Sequence, residues 1–125
     1  MDDRKRQDLF EQLKALLQEY GDVLEIDSDP GKYSLSTTKP IEVDGENHEH
    51  GYYFAGLRAQ KNVVAFYYEP IHVWPDLKEA IPESVQAIQK GDTTFNVKVL
   101  TPELQRDLRK MMDLGVQTYK DLGWI

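Results

Sequence analysis

Between residues 3 and 20 the apolar positions Leu9, Phe10, Leu13, Leu16, Leu17 and Tyr20 recur at helical spacing. Acidic residues stand early in this stretch and Gly21 follows it as a C-cap, so the pattern predicts an amphipathic helix. The period then falls to two. Over 23–28, Leu24 and Ile26 alternate with Glu25 and Asp27, and beyond the turn residues Asp29, Pro30 and Gly31 the alternation resumes with Tyr33, Leu35 and Thr37. Proline presets φ and glycine accepts a positive φ, so the two runs predict a hairpin. The Lys39-Pro40 step interrupts the ladder. Ile41 and Val43 then read as a short edge strand, followed by a polar loop over 44–50.

Residues 51–74 form the most aromatic stretch, with four of the seven tyrosines, two of the four phenylalanines and one of the two tryptophans. Folding removes the most apolar area from water there. Strands over 51–59 and 63–68, joined by Gln60, Lys61 and Asn62, predict a second hairpin. Strict alternation puts Tyr53, Ala55 and Leu57 on one face and Tyr52, Phe54 and Gly56 on the other. A hairpin apolar on both faces suits the middle of a sheet. Glu69 and Pro70 end the regularity, and Ile71, Val73 and Trp74 continue as strand or ordered loop.

Two short helical pieces follow, over 76–80 and 82–90, the second with Pro82 at its first position and Gly91 at its end. Residues 93–99 predict a last strand with Phe95, Val97 and Val99 facing one way and Thr94, Asn96 and Lys98 the other. Thr101 as N-cap and Pro102 at the first position open a closing helix to about residue 122. Its buried stripe is Leu104, Leu108, Met111, Met112, Gly115, Tyr119 and Leu122, with the methionines filling core gaps and Gly115 allowing close approach to the sheet. Strands grouped between a first and a last helix predict an α+β fold. Its sheet is mainly antiparallel, covered by the N-terminal and C-terminal helices on one face.

At 125 residues the chain is long enough to form one domain without a disulfide or metal staple. With 40% hydrophobic and 30% charged residues and a net charge of −7, it has the profile of a globular protein. Nucleic acid is excluded as an expected partner, because the one basic run, Arg4, Lys5 and Arg6, is flanked by Asp2, Asp3 and Asp8. No cysteine is present, which removes disulfides, thiolate metal sites and a thiol nucleophile. No apolar leader or membrane-length run is found, and the expectation is a cytoplasmic protein without a membrane partner.

The segments GYYFAGLRAQKN, YYEPIHVWPDLKEAIPESV, GDTTFNV and LTPELQRDLRKMMDLG, in this order and spacing, resemble the DUF1801 or YdhG-like family of small bacterial domains. The resemblance covers the chain from Gly51 onward and implies a single YdhG-like domain over 1–125. One branch of that family is described as an intracellular iron chaperone of frataxin-like type. The chain lacks that branch's Tyr-Gly-Met-Pro-Ala-Phe segment. Where relatives read Gly-Lys-Ser-Cys-Phe-Asn-Phe it has Gly91, Asp92, Thr93, Thr94, Phe95, Asn96 and Val97, so no role resting on a lysine or cysteine transfers.

Three sets of residues carry candidate chemistry. In extended chain Glu46, His48 and His50 project to one side, a two-histidine, one-carboxylate set suited to a divalent metal; the competing reading is a solvated loop. Acids at Asp2, Asp3, Asp8, Glu11, Glu19 and Asp22 could attract metal diffusely or serve solubility. Tyr68, His72, Trp74 and Asn96 are candidates for binding a ligand against an aromatic sheet face. No G-x-S-x-G, P-loop, G-x-G-x-x-G or H-E-x-x-H is found. The expected function is a non-catalytic module binding a small ligand or a protein, with no cofactor. Iron handling by family analogy is the alternative, and an enzyme with His72 as its poised group is the second.

Overall fold

The computed structural model describes residues 2–125. Helix α1 (Asp3–Gln18) is capped by Asp2, whose carboxylate accepts from the Lys5 amide at 2.8 Å. Strands β1 (Glu25–Asp29), β2 (Lys32–Ser36), β5 (Tyr53–Ala59), β6 (Val64–Tyr68) and β7 (Thr94–Val97) make one antiparallel five-stranded sheet in the order β1-β2-β5-β6-β7. The aromatic hairpin β5–β6 therefore sits in its interior. Between β2 and β5 the chain forms a separate hairpin from β3 (Ile41–Val43) and β4 (Glu46–His48). A short helix α2 (Pro70–Val73), a 3-10 stretch (Pro75–Ala80) and a helical turn α3 (Glu83–Gln86) lead to β7, and α4 (Pro102–Asp121) closes the chain.

The fold is α+β, with helices at both ends of the chain flanking a mainly antiparallel sheet. The core-facing row crosses four of the strands, β2, β5, β6 and β7: Tyr33 and Leu35 pair with Leu57 and Ala55, and these pair with Phe66 and Tyr68. Phe95 and Val97 extend it. Leu13, Leu16 and Leu17 of α1 and Leu108, Met111 and Met112 of α4 bury against this row, as their helical spacing predicts. The two long helices also hold each other: the Arg109 guanidinium donates to Glu19 at 2.7 Å, and Tyr20 donates to Asp113 at 2.7 Å.

At Gly115 α4 comes close against the sheet. A Cβ there would come within 2.6 Å of the Tyr68 hydroxyl oxygen and 2.9 Å of Phe54 and Pro70. Around it Tyr119 packs edge-to-face on Phe54, with ring centroids 5.2 Å apart, and donates to the Tyr53 carbonyl at 2.9 Å. Tyr68 donates to the Met111 carbonyl.

Several local expectations are corrected. The register of β2 against β5 shifts after Leu35, so that Leu35 faces Ala55 but Ser36 faces Tyr53. Phe54 is the extra residue. This bulge turns Tyr52 and Phe54 into the core beside Ala55 and Leu57, and it sends Tyr53 to the outer face. Strict alternation had assigned these residues the other way. Residues 46–48, expected as loop, form β4, because Asp44 at φ 51 and Gly45 at φ 80 supply the two positive-φ positions of a tight hairpin turn. Ile41 and Val43 consequently pair with β4 and not with the main sheet.

Helix α3 ends at Gln86, short of Lys90, because the following segment leaves to bond the edge of β7. Pro82 is its N-cap and not its first residue. Val99 is 68% exposed: β6 begins at Val64, opposite Val97, so there is no strand left for Val99 to pack on. Leu122 lies past the end of α4 and is exposed. No helix of the described residues is long and apolar enough to cross a membrane.

Candidate functional site

With both long helices on one side, the other side of the sheet carries its own rows of side chains. Cross-strand pairing sets them out: Asp27, Ser34, Gly56, Tyr67 and Thr94 in one row, and Asp29, Lys32, Arg58, Ala65 and Asn96 in the next. Tyr53 joins this face through the bulge. Its ring lies over Gly56, where a Cβ would come within 2.1 Å of the Tyr53 hydroxyl oxygen and 2.8 Å of the Tyr33 carbonyl. Only glycine leaves room for the phenol there.

The result is a shallow depression of about 300 Å³ bordered by Asp27, Asp29, Lys32, Ser34, Tyr53, Arg58 and Tyr67. Tyr53 and Tyr67 are half-buried and, among the described residues, neither hydroxyl has a protein hydrogen-bond partner. Burial, with the neighbouring Tyr67 and Glu69 adding to it, raises the Tyr53 pKa, so its hydroxyl stays a neutral donor at physiological pH. Lys32 stands directly across from Arg58. The ion pairs of the described residues are Arg6–Asp3, Arg106–Asp107 and Arg109–Glu19, so neither cation is in an ion pair, although Asp29 stands directly across from Lys32 on its other side. Like charges directly opposite weaken a strand pair, and an anionic group beside Lys32 and Arg58 would relieve that.

The residues singled out from the sequence do not meet in one place. Tyr68 is 2% exposed, in a filled part of the core, with its hydroxyl committed to Met111. Asn96 projects from the opposite face of the sheet and borders a different surface depression with Lys90 and Lys98. His72 is exposed on α2. Trp74, 49% exposed, lines a groove of about 240 Å³ with Thr118, Asp121 and Leu122. Sequence reasoning singled out none of the residues that border the depression; Tyr67 came nearest, since it adjoins Tyr68 and looks the same in the sequence, and only strand register separates their faces.

Of the metal candidates, Glu46 and His48 share β4 while His50 lies beyond it in a turn. His48 packs edge-on against Tyr52, with centroids 4.9 Å apart, and the Tyr52 hydroxyl donates to Glu69. Several acids have structural tasks: Asp2 caps α1, Asp3 pairs with Arg6, and Glu19 pairs with Arg109. Among the described residues no three His, Cys, Asp or Glu side chains are placed to hold a metal ion. Comparison of the chain with family models, with curated proteins and with solved structures gave no match.

Proposed function

We propose that this chain is a non-catalytic binding module, of the YdhG-like kind its motifs resemble, that takes a small ligand or a segment of a partner protein on the outer face of its sheet. The carrying observation is the depression over Gly56, where two tyrosine hydroxyls and two cations stand without partners of their own. A flat or apolar part of the ligand lies against Tyr53 and Tyr67, and an acidic group sits beside Lys32 and Arg58. The reading is a binding one because the face offers donors and aromatic surface but no poised nucleophile–base pair.

A thermal-shift screen of a metabolite panel tests it. A compound at about a hundredfold its dissociation constant stabilises the protein by about 2.7 kcal/mol. The expected hits carry a carboxylate or phosphate, and their effect is lost in Arg58→Ala and in Tyr67→Ser. Hits that stabilise both variants as much as the parent protein would place the ligand elsewhere and sink this assignment.

A further inference from the structure

The two edges of the sheet are treated differently. At β7 the outer edge is occupied: the Asn96 amide donates to the Ile88 carbonyl at 2.9 Å, and the Lys90 amide donates to the Thr94 carbonyl at 2.9 Å. At β1, among the described residues, no backbone bond reaches the outer edge, and all five residues are exposed. In a hairpin closed by the Asp29–Lys32 pair, the backbone groups of Glu25, Asp27 and Asp29 point at β2. Those of Ile26 and Ser28 therefore point outward, an unpaired donor and acceptor set that a further strand can use.

The side chains along this edge select which strand. Glu25, Asp27 and Asp29 lie on the outer face at every second position and belong to no ion pair of the described residues. On the helix side, Ile26 is 43% exposed. A second copy of the chain adding its own β1 would set acids against acids, which is how charged edges keep identical sheets apart. A strand with basic residues at alternate positions and apolar residues between them meets the acids on one face and covers Ile26 on the other. We propose that β1 is a docking edge for an extended basic peptide of a partner protein, which adds to the sheet as a sixth strand. This edge adjoins the tyrosine depression and shares Asp27 and Asp29 with it.

The test uses a fluorescein-labelled peptide of alternating Lys and Val, its Glu and Val counterpart, and anisotropy titration into the full chain. The lysine peptide binds and the glutamate peptide does not, and raising salt from low to physiological strength weakens binding. Ser28→Pro removes an outward N–H while leaving the β1–β2 ladder and all three acids in place, so it lowers affinity by on the order of tenfold or more. Tyr67→Ser binds the lysine peptide like the parent protein, which separates this edge from the depression. In the parent protein, exchange of the Ile26 and Ser28 amide protons slows when the peptide is added; this readout stands even if the proline variant does not fold. Equal affinity of Ser28→Pro and parent, no slowing at these two amides, no binding at millimolar peptide, or dimerisation of the chain through β1 would each overturn the proposal.

Discussion

Gly115→Ala is the substitution on which the packing of α4 against the sheet can be judged most sharply, because two effects of opposite sign act on it. In an exposed helix interior, replacing glycine by alanine stabilises by about 1 kcal/mol. Here the added methyl would lie 2.6 Å from the Tyr68 hydroxyl oxygen, 2.9 Å from Phe54 Cε1 and 2.9 Å from Pro70 Cγ, where carbon contacts normally settle near 3.5–4 Å. None of the three neighbours yields easily. Phe54 is 0% exposed, Pro70 is fixed by its ring at the start of α2, and Tyr68 is tied to the Met111 carbonyl. Overpacking of this kind costs about 1–3 kcal/mol, and with three constrained contacts the upper end applies. The expected net is a loss of about 2 kcal/mol after the helical gain is subtracted. Urea melts measure it, with an unchanged slope required for the comparison. A cycle with Tyr68→Phe adds a second check: deleting the hydroxyl removes the closest clash, so alanine at 115 should cost about 1 kcal/mol less in that background. A Gly115→Ala protein more stable than its parent by about 1 kcal/mol would show that helix propensity alone acts, and the close approach would be refuted.

Two further predictions concern polar groups in the core. The Tyr33 hydroxyl is buried without a hydrogen-bond partner among the described residues, so Tyr33→Phe should be neutral or stabilising by up to about 1 kcal/mol, whereas Tyr119→Phe, which loses the bond to the Tyr53 carbonyl, should cost about 1 kcal/mol. A clear loss in Tyr33→Phe on thermal or urea melts would mean that its hydroxyl is in fact hydrogen-bonded. Asp107 is held below the usual carboxylate range first by the Ser84 hydroxyl, which donates to it at 2.7 Å, and then by Arg106. A lowered folded-state pKa contributes stability that is present above the unfolded value and disappears as pH falls through the folded one. Ser84→Ala should therefore raise the Asp107 midpoint in a carboxyl NMR titration and destabilise near neutral pH, with the difference from the parent closing as the pH falls through the parent's Asp107 midpoint; a difference that persists unchanged in acid would assign it to packing instead.

The parts of the fold that could be read from sequence are those where one residue type has one physical use. Thr101 and Pro102 do cap and open α4, with the Thr101 hydroxyl accepting from the Leu104 amide at 3.1 Å, and Gly115 does mark a close contact. The bulge at Phe54 was illegible because Tyr52, Tyr53, Phe54 and Ala55 are apolar on both phases of the alternation. Inserting one residue there leaves no trace in the pattern, yet it decides which tyrosine reaches the surface. The β3–β4 hairpin was missed for a different reason: Asp44-Gly45 is a strong turn signal, but Glu46 and Asn47 bury nothing and so show no strand pattern. The site suffered from both problems. Tyr68 and Asn96 look equally available in the sequence, and the register of β6 against β7 puts them on opposite faces.

Exposure of one sheet face is not by itself a sign of function, since antiparallel sheets commonly leave a face to solvent. What distinguishes this face is the choice of residues at its centre. Gly56 is in a strand interior without the positive φ that would require glycine, and glycine there weakens a strand by roughly 0.5–1 kcal/mol relative to alanine. Directly beside it, Lys32 faces Arg58 across the β2–β5 pair, and a like-charge pair there is unfavourable by roughly 0.2–1 kcal/mol. Substitutions there do not act alike: the Tyr33 carbonyl, 2.8 Å from where a Cβ would sit, excludes a side chain at 56 whatever residue stands at 53, whereas an acid in place of Arg58 would face Lys32 favourably. Packing therefore accounts for Gly56, but stability does not account for Arg58 opposite Lys32. The cation pair makes sense when the face has to present positive charge beside Tyr53, for whose ring Gly56 also leaves room. Local choices that oppose folding are expected where function sets the residue, and here one lies on the surface that neither long helix covers.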